Sequence, residues 1–429
     1  MVMAVLIEKI ELKNYRSCQR TAIELDPQLS TLIGINGSGK TNLLHGILLL
    51  PKMARVQRYS RQEDILSSEC TLNASFGIDG KQRVQMRARI KYATSERNTD
   101  EVLSADQKWN FRGVSGREEW VNWPLSFADD VKRINPNVFW GGARGDVDFY
   151  KQMLTASGTF QFGDLKAGRN EQKSWAKEFS ACQKIAEFIN AISYYSASQF
   201  TDPSRCPIFL EIENDRPSRR RGSANAEHVQ FLQDLYTAYK ERRDAFDEYL
   251  SFVGAAGVRL IDKITFKETK APANVYDVRI GGKLEKKAVK RLLVIPSLHI
   301  GRNHLSPNQL SEGTFKTLAL VFYLMNDQSK LLLIEEPEVC VHHGLLSSIV
   351  ELIKIVSKRK QIIISTHSDF VLDALDPKNV FVIRNEVGKG TIVRHVPDAM
   401  SKSEYAGLKE YLKASGNLGE YWREGGLDQ

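Results

Sequence analysis

Residues 34–41 read Gly-Ile-Asn-Gly-Ser-Gly-Lys-Thr, directly after the apolar run 31–33 and directly before a helix-like run that begins near Asn42. This is the strand–loop–helix setting of a phosphate-binding loop. Glycines let backbone N–H groups turn toward phosphate oxygens, and the following helix adds partial positive charge. Lys40 would then reach the β- and γ-phosphates, and Thr41 would ligate Mg²⁺. The stretch predicts a nucleotide site; the alternative is a glycine-rich turn with an accidental lysine.

Length and composition bound the class of protein. The 429 residues predict about two or three structural units. At 42% hydrophobic and 26% charged residues, with no apolar run near the ~18 residues of a membrane span, the sequence predicts a cytoplasmic protein with no membrane partner. The net charge of +8 permits a nucleic-acid partner without requiring one.

The five cysteines are scattered along the chain and form no C-x-x-C pair. An odd, scattered set argues against both a disulfide framework and a zinc site. We expect them to be core or surface thiols.

The N-terminal part of the chain predicts strands around the loop. Residues 4–13 alternate as a strand with one wet face, and residues 20–25 predict a second strand after the turn 14–17. Residues 70–92 alternate on both sides of Asp79-Gly80, which is typical of a β-hairpin. We therefore predict a sheet that carries the loop, a helix from 42 to about 50 packed on it, and a small antiparallel sheet.

The middle of the chain gives weaker signals. Four of the six tryptophans lie between residues 109 and 140, where they form either a local core or a base-stacking surface. Helical spacing over 175–192 precedes a predicted strand over 192–196. The strongest helical pattern covers about 226–252, which at 1.5 Å per residue spans roughly 40 Å, too short for the arm of a chromosome-organising ATPase.

Two basic clusters stand out in this middle part. Residues 216–221 read Arg-Pro-Ser-Arg-Arg-Arg and predict an exposed loop, and residues 283–291 carry four lysines and one arginine ahead of a predicted strand at 292–295. Such clusters either grip phosphates of a nucleic acid or form a solvated face.

The second half of the chain supplies further polar residues at the ends of apolar runs. Ser311 and Gly313 open an apolar helix pattern, where they form either an anion cradle or an ordinary N-cap. Glu335 and Glu336 follow a wholly apolar strand, and paired acids there are costly unless a cation or catalytic function faces them. Glu335 would hold Mg²⁺, and Glu336 would orient and deprotonate a water. His367 follows the strand 361–365 and either contacts the γ-phosphate or is structural.

Taken together, these residues resemble the ATP-binding-cassette (ABC) ATPases of the RecF, SMC and OLD type. In that resemblance residues 34–41 are the Walker A loop, residues 310–314 are the signature motif, and Glu335-Glu336 are the Walker B pair. Residues 337–342 correspond to the D-loop, and His367 corresponds to the switch histidine.

Other positions extend or depart from the family pattern. Residues 14–17, Asn-Tyr-Arg-Ser, look like the N-terminal turn of the group, and Gln199 after a strand suits its Q-loop as a metal ligand. Glu335 stands where many members have Asp, which preserves the charge, and His343 replaces a proline. The resemblance implies that the ATP-binding residues are Gly34, Asn36, Gly37, Ser38, Gly39, Lys40, Thr41, Asn42, Ser311 and Gly313. It assigns Thr41, Glu335 and Gln199 to Mg²⁺, and Glu336 and His367 to catalysis.

The resemblance implies an α/β fold: an ABC-type ATPase head with a mixed sheet core, an antiparallel β subdomain and a helical insertion. Residues 1–100 and 291–400 would form the ATPase lobes, residues 101–290 the insertion, and residues 401–429 a C-terminal tail. In this family ATP is buried between two copies, so the chain would be an ATP hydrolase that forms a homo-oligomer.

The build of the chain suggests a narrower role. OLD-type nucleases carry a Toprim domain after the ATPase, whereas here only 429 − 367 = 62 residues follow His367, and they hold no acidic cluster. The chain looks most like the ATPase subunits of two-gene anti-phage systems, such as PtuA of Septu and AriA of PARIS. It would sense infection, with nucleic acid or a phage protein as a partner, and control a separate nuclease effector. The alternatives are a RecF-like repair ATPase that clamps DNA with ATP, and a binding protein whose nucleotide site barely turns over.

Overall fold

The computed structural model describes residues 3–54, 58–60, 69–93, 100–122, 169–213, 216–217, 226–278, 284–339, 341–414 and 416–427. Of the features predicted above, Trp123, Trp140, residues 218–221, Lys283 and Cys340 lie outside these ranges. The chain divides into two compact units. Unit 1 comprises Met1–Tyr194, Ser329–Ile334 and Ser357–Gln429, and unit 2 comprises Tyr195–Gln328 and Glu335–Val356.

The described residues form strands and helices in alternating groups. The strands are β1 Val5–Tyr15, β2 Cys18–Glu24, β3 Leu29–Ile33, β4 Arg58–Ser60, β5 Glu69–Ile78, β6 Gln82–Ala93, β7 Asp100–Asn110, β8 Trp120–Asn122, β9 Ile192–Ser196, β10 Leu210–Glu213, β11 Arg216–Pro217, β12 Lys263–Val278, β13 Leu284–Ile300, β14 Asn303–Leu305, β15 Leu331–Glu335, β16 Gln361–Thr366, β17 Val380–Glu386 and β18 Gly390–His395. The helices are α1 Lys40–Ile47, α2 Leu49–Ala54, α3 Arg112–Ser115, α4 Arg169–Asn190, α5 Ala226–Glu241, α6 Arg243–Val253, α7 Glu312–Asn326, α8 His343–Ser357, α9 Asp369–Asp373, α10 Val396–Ala399, α11 Lys402–Lys413 and α12 Leu418–Arg423. None of these helices is long and apolar enough to cross a membrane.

A mixed sheet with the strand order β18-β17-β3-β16-β15-β9 carries the phosphate loop. Its strand β3 pairs in parallel with both β16 and β17 and is buried along its whole length, as expected for a strand in the middle of a parallel sheet. In the register, Ile33 lies beside Thr366 and Val382. The segments that follow Ile33 and Thr366 therefore leave the sheet at the same edge, beside β17, which continues to Glu386.

The second sheet of unit 1 is antiparallel, in the order β2-β1-β5-β6-β7-β4, with β8 added to β7. The predicted hairpin around Asp79-Gly80 is confirmed: β5 and β6 pair in register, and Asp79 and Gly80 have φ angles of +50° and +69°. Left-handed conformations suit Asp and Gly in a tight hairpin turn. The mixed core and the antiparallel sheet agree with the predicted α/β fold class.

The tail predicted over 401–429 is an ordered part of unit 1. Helices α11 and α12 bury Leu408 and Leu418, and the Gly419 N–H donates to Asp373 Oδ1 at 2.8 Å. The division of the chain implied by the resemblance assigned no packing to this segment, although Tyr405, Leu408 and Leu412 recur at helical spacing.

Unit 2 departs from the predicted single helix over about 226–252. Two helices, α5 and α6, are separated at Arg242, whose φ and ψ angles are −133° and 59°. Arg242 Nη1 donates to the Asn326 carbonyl oxygen at 2.6 Å, at the last residue of α7. A contact made across 84 positions thus accompanies the break, and no local pattern could predict it.

Unit 2 also contains a long antiparallel hairpin that the sequence did not predict. Strands β12 and β13 pair from Lys263 beside His299 to Val278 beside Leu284. The lysines at 286, 287 and 290 interrupt the apolar alternation from which a strand is predicted. Part of each basic cluster lies in a strand: these lysines in β13, and residues 216–217 in β11, which pairs with β10. The predicted boundary at residue 290 falls inside β13.

Candidate nucleotide site

The glycines of the loop adopt conformations that other residues rarely adopt. Gly37 and Gly39 have φ angles of +80° and +105°, and α1 begins at Lys40, directly after Gly39. A side chain on Gly34 would put its Cβ 2.7 Å from Ser38 Oγ. The loop is therefore tight in two ways, in backbone conformation and in space, as the sequence predicted for a phosphate cradle.

Two polar side chains are buried within this loop. The Lys40 side chain is only 5% exposed, and its Nζ donates to the carbonyl oxygens of Gly34 at 2.7 Å and Ile35 at 3.2 Å. The Ser38 hydroxyl is buried without a hydrogen-bond partner among the described residues. An unsatisfied buried hydroxyl costs about 1–3 kcal/mol, so the loop is built for an acceptor that the chain itself does not supply. A phosphate oxygen fits, and the ammonium group can exchange a carbonyl for it.

A network of side chains holds the loop from behind. Ser17 Oγ pairs with Thr391 Oγ1 at 2.7 Å and accepts from Asn42 Nδ2 at 2.7 Å. The Thr391 N–H donates to the Ser17 carbonyl oxygen at 2.8 Å, and Arg16 Nη1 donates to Asn42 Oδ1 at 3.3 Å. The turn 14–17 thus fixes the first turn of α1 against β18.

The hydrogen bonds of the Asn42 side chain differ from the ATP contact that the resemblance implies. The resemblance assigned Asn42 to ATP, but in the structure both polar atoms of its amide bond to the turn 14–17. Its side chain positions the loop. Thr391, which is fully buried at the centre of the network, was missed because it has no motif around it and acts across 374 positions of sequence.

A cleft of about 700 Å³ opens beside the loop, entirely within unit 1. It forms where the segments after β3 and β16 leave the sheet beside β17. It is lined by residues 34–38, His367, Asp369, residues 382–386, Trp422 and Arg423. The structure thus brings His367 to the predicted phosphate loop, together with the charged residues Asp369, Arg384, Glu386 and Arg423, which the sequence analysis did not select.

The Walker B pair lies at the end of β15. Glu335 is the last residue of the strand, and Glu336 follows with a φ angle of +47°. A left-handed conformation at a residue other than glycine costs about 1–3 kcal/mol, and such strain concentrates at functional sites. The Val339 N–H closes the turn on the Glu336 carbonyl oxygen at 3.1 Å. Five other described residues besides glycine, Asp79 among them, share a positive φ angle, so this strain agrees with the motif at Glu336 but does not select it by itself.

In unit 2, Ser311 is the N-cap of α7. Its Oγ accepts from the Thr314 N–H at 3.3 Å and pairs with Thr314 Oγ1 at 2.8 Å. Gly313 is the second residue of the helix. The N-cap interpretation therefore holds, and it is compatible with the anion cradle because a capped helix still presents N–H groups in its first turn.

Gln199, the predicted metal ligand, is part of a capping box. Its Oε1 accepts from the Ser196 N–H at 3.3 Å at the start of a short 3₁₀ helix, Ala197–Phe200. This oxygen is the atom that Mg²⁺ would require. Metal binding by Gln199 would therefore have to share this oxygen with the cap.

The described residues contain no cluster of three or more His, Cys, Asp or Glu side chains arranged for a metal. Mg²⁺ commonly takes one or two protein ligands beside phosphates and water, so a magnesium site of the kind predicted from Thr41 and Glu335 does not require such a cluster. Cys18, Cys70, Cys182 and Cys206 are free and buried, as expected for core thiols, and burial raises the pKa of the Cys182 thiol well above its usual range.

Comparison with protein families supports an ATPase. A family model described as "AAA ATPase domain" matches residues 6–134, and one described as "AAA domain, putative AbiEii toxin, Type IV TA system" matches residues 170–373. The first range contains the phosphate loop, and the second contains Ser311, Glu336 and His367. Each model covers less than half of the chain.

Individual proteins show the same likeness. The chain is 42% identical over 60 residues to the DNA replication and repair protein RecF of Oceanobacillus iheyensis, which covers 14% of this chain and 16% of that protein. It is 36% identical over 61 residues to the chromosome partition protein Smc of Methanocaldococcus jannaschii, and the match covers 13% of this chain and 5% of that protein. The SMC head domain from Thermotoga maritima matches with a TM-score of 0.42 and 14% identity, over 91% of this chain and 98% of that one. The family and sequence matches support an ATPase of the RecF/SMC group.

Proposed function

We propose that this protein binds ATP with Mg²⁺ at the phosphate loop and hydrolyses it. The observation that carries the proposal is the loop itself. It combines left-handed Gly37 and Gly39 with a buried Lys40 and a buried Ser38 hydroxyl that lacks a partner in the described structure. A glycine-rich turn with an accidental lysine requires neither buried group.

Each residue has a role in this proposal. Lys40 contacts the β- and γ-phosphates, and His367 contacts the γ-phosphate. Glu336 orients and deprotonates the attacking water. Mg²⁺, held by Thr41 and Glu335, would neutralise charge on the phosphate oxygens. Ser311 and Gly313 of a second copy would complete the site, so the active form is a homo-oligomer.

The test separates binding from hydrolysis. ATP binding is measured by isothermal titration calorimetry, and hydrolysis by phosphate release. We expect Lys40→Ala to abolish ATP binding. Glu336→Gln should bind ATP but hydrolyse it at least about 100-fold more slowly, because it lacks the general base.

Glu410→Gln, an exposed carboxylate on α11, is the matched control and should behave as wild type. Normal hydrolysis by Glu336→Gln would show that the catalytic assignment is wrong. Normal ATP binding by Lys40→Ala would remove the nucleotide site from the loop.

For the cellular role, we infer that the ATPase is one subunit of an anti-phage complex that senses infection and controls a separate nuclease. The family description for residues 170–373 names a putative toxin of a toxin–antitoxin system, and this supports a role of that kind. The test is the mass of the assembly after co-expression with the neighbouring gene, with and without ATP. A complex with a second protein that has nuclease activity is expected; a lone chain in both states would contradict the inference.

The second candidate is a RecF-like ATPase that clamps DNA, and the sequence similarity to RecF favours it. It predicts ATP-dependent DNA binding that weakens steeply with salt. Charge reversal of Lys286 and Lys287 in β13 should then weaken binding, whereas reversal of the exposed Lys402 and Lys409 should not. Equal DNA binding by both double variants would exclude β13 as the DNA contact.

A further inference from the structure

The cleft beside the phosphate loop has a second wall that no motif describes. Residues 34–38 and His367 line one part of it, and Trp422 and Arg423 of α12 line another. All of these residues belong to unit 1. A cation at this place faces the loop on which the phosphates would lie.

The position of α12 is fixed by packing on both sides of these two residues. On the N-terminal side, Leu418 is buried and the Gly419 N–H donates to Asp373 Oδ1 at 2.8 Å. On the C-terminal side, Leu427 is buried and its carbonyl oxygen accepts from Arg384 Nη2 at 3.1 Å. A side chain at Gly419 would collide with the carbonyl group of Asp369, so the helix lies as close to α9 as it can. Arg423 is therefore held at the cleft by the fold.

The partner of Arg423 in the structure is one that it can leave at small cost. Its Nη1 donates to Asp369 Oδ2 at 3.2 Å, and the two side chains are 66% and 30% exposed. Ion pairs this exposed contribute little to stability. A phosphate group carries more negative charge than a carboxylate and can accept two parallel hydrogen bonds from the guanidinium, whereas Asp369 Oδ2 accepts one at 3.2 Å.

The position of Asp369 in the chain also points to the γ-phosphate end of the site. Asp369 is two residues after His367, the residue proposed to contact the γ-phosphate. The exchange of Asp369 for a phosphate oxygen would therefore take place at the outermost phosphate and would leave the rest of the nucleotide untouched.

We propose that Arg423 is a further nucleotide-binding residue, which contacts the γ-phosphate of bound ATP from α12 and so distinguishes ATP from ADP. Trp422 forms the adjoining aromatic wall of the cleft. This proposal rests on the proposed binding of ATP at the phosphate loop, and it names the part of that site that recognises the third phosphate.

The test compares two nucleotides. Binding of ATPγS and of ADP, each with Mg²⁺, is measured by calorimetry for wild type, Arg423→Gln and Lys413→Gln. We expect Arg423→Gln to weaken ATPγS binding about tenfold, the loss of roughly one charge-assisted contact, with ADP binding changed less than about twofold. Lys413, an exposed cation on α11, is the matched control and should change neither. Arg423→Lys should recover part of the lost ATPγS affinity, because lysine keeps the positive charge but lacks the two parallel N–H donors of the guanidinium.

A second variant separates nucleotide contact from a structural role. Asp369→Asn removes the same ion pair but leaves the guanidinium in place. We expect it to bind ATPγS as tightly as wild type or more tightly, since a negative charge near the phosphate is gone. If Arg423 only anchors α12, Asp369→Asn and Arg423→Gln will instead lower the melting temperature and both nucleotide affinities alike, and the proposal is overturned.

Two further results are decisive. Wild-type affinity of Arg423→Gln for ATPγS would overturn the role of Arg423 while leaving ATP binding by the loop intact. Failure of wild type to bind either nucleotide would instead overturn the proposed function, and the role of Arg423 with it.

Discussion

The phosphate loop of unit 1 and the start of α7 in unit 2 both offer a helix N-terminus to an anion, but they are built differently. The loop buries Ser38 and Lys40 while its tip, residues 35–37, is exposed, and it is held by a network in which Ser17 and Thr391 meet across 374 positions. The start of α7 is exposed at Ser311, and its cap is completed within three residues, at Thr314. The difference follows from conformational cost. Left-handed turns need support from the rest of the fold, whereas a cap needs only its own helix.

The largest effect is expected from a substitution in the phosphate loop, the site that the rest of the fold supports. Gly39→Ala forces a side chain into a φ angle of +105° and puts its Cβ against Thr391 Oγ1 and 3.0 Å from Ser17 Oγ. We expect ATP binding to be lost and the free energy of unfolding to fall by about 2–4 kcal/mol, the sum of strain and overpacking. Calorimetry and denaturant unfolding measure the two effects.

Gly37→Ala is the matched control for this prediction. Its φ angle is +80°, but nothing lies within 4 Å of the added Cβ. It should cost only the backbone strain, about 1–2 kcal/mol. Equal losses in the two variants would show that the contact with Thr391 has no energetic importance.

The next effect tests whether the support itself matters. Thr391→Val keeps the shape of the side chain but removes the hydroxyl that pairs with Ser17. We expect ATP affinity to fall about fivefold, since one hydrogen bond that positions the loop contributes about 1 kcal/mol. A double-mutant cycle with Ser17→Ala should give a coupling energy of about 0.5–1.5 kcal/mol. Strict additivity of the two losses would mean that Thr391 and Ser17 act separately. Thr269→Val, at an exposed position of β12, is the control.

Ser311 allows the local site to be tested in two ways. Ser311→Ala removes the cap and should lower the free energy of unfolding by about 1 kcal/mol. Ser311→Asp keeps the cap, because Asp is equally suited to that position, but brings a negative charge to the anion cradle. We expect Ser311→Asp to be as stable as wild type and to lose ATP hydrolysis. Normal hydrolysis by this variant would leave Ser311 as a cap alone.

The smallest effect on ATP binding concerns the break between α5 and α6. Arg242→Ala removes the hydrogen bond to the Asn326 carbonyl oxygen, and we expect a loss of about 1–2 kcal/mol in the free energy of unfolding with unchanged ATP binding. Asp247→Ala, which removes an exposed ion pair with Arg243 and leaves the guanidinium over the Tyr239 ring, should cost less than about 0.5 kcal/mol. Denaturant unfolding of both variants makes the comparison, and equal costs would contradict it.

The same contrast explains what could be predicted. The strand, loop and first helix around Lys40, the hairpin at Asp79-Gly80 and the α/β class are encoded by neighbours in sequence, and the structure agrees with them. Periodicity predicts a single helix over 226–252, and the domain division implied by the resemblance leaves residues 401–429 as a tail. The first is broken at Arg242, and the second is packed through Leu408, Leu418 and Leu427, in both cases by contacts with distant residues.

By itself, then, the sequence determined the phosphate loop, the order of the motifs and the ATPase class, because glycine, lysine and paired carboxylates have narrow chemical uses at such spacings. The hydrogen bonds of Asn42 and Thr391 behind the loop, and the place of Arg423 in the cleft beside it, were decided only by the tertiary structure. The physical reason is that hydrogen bonds and ion pairs depend on atoms being a few ångströms apart. Residues far apart in the chain give no sign of that distance until the sheets and helices have packed.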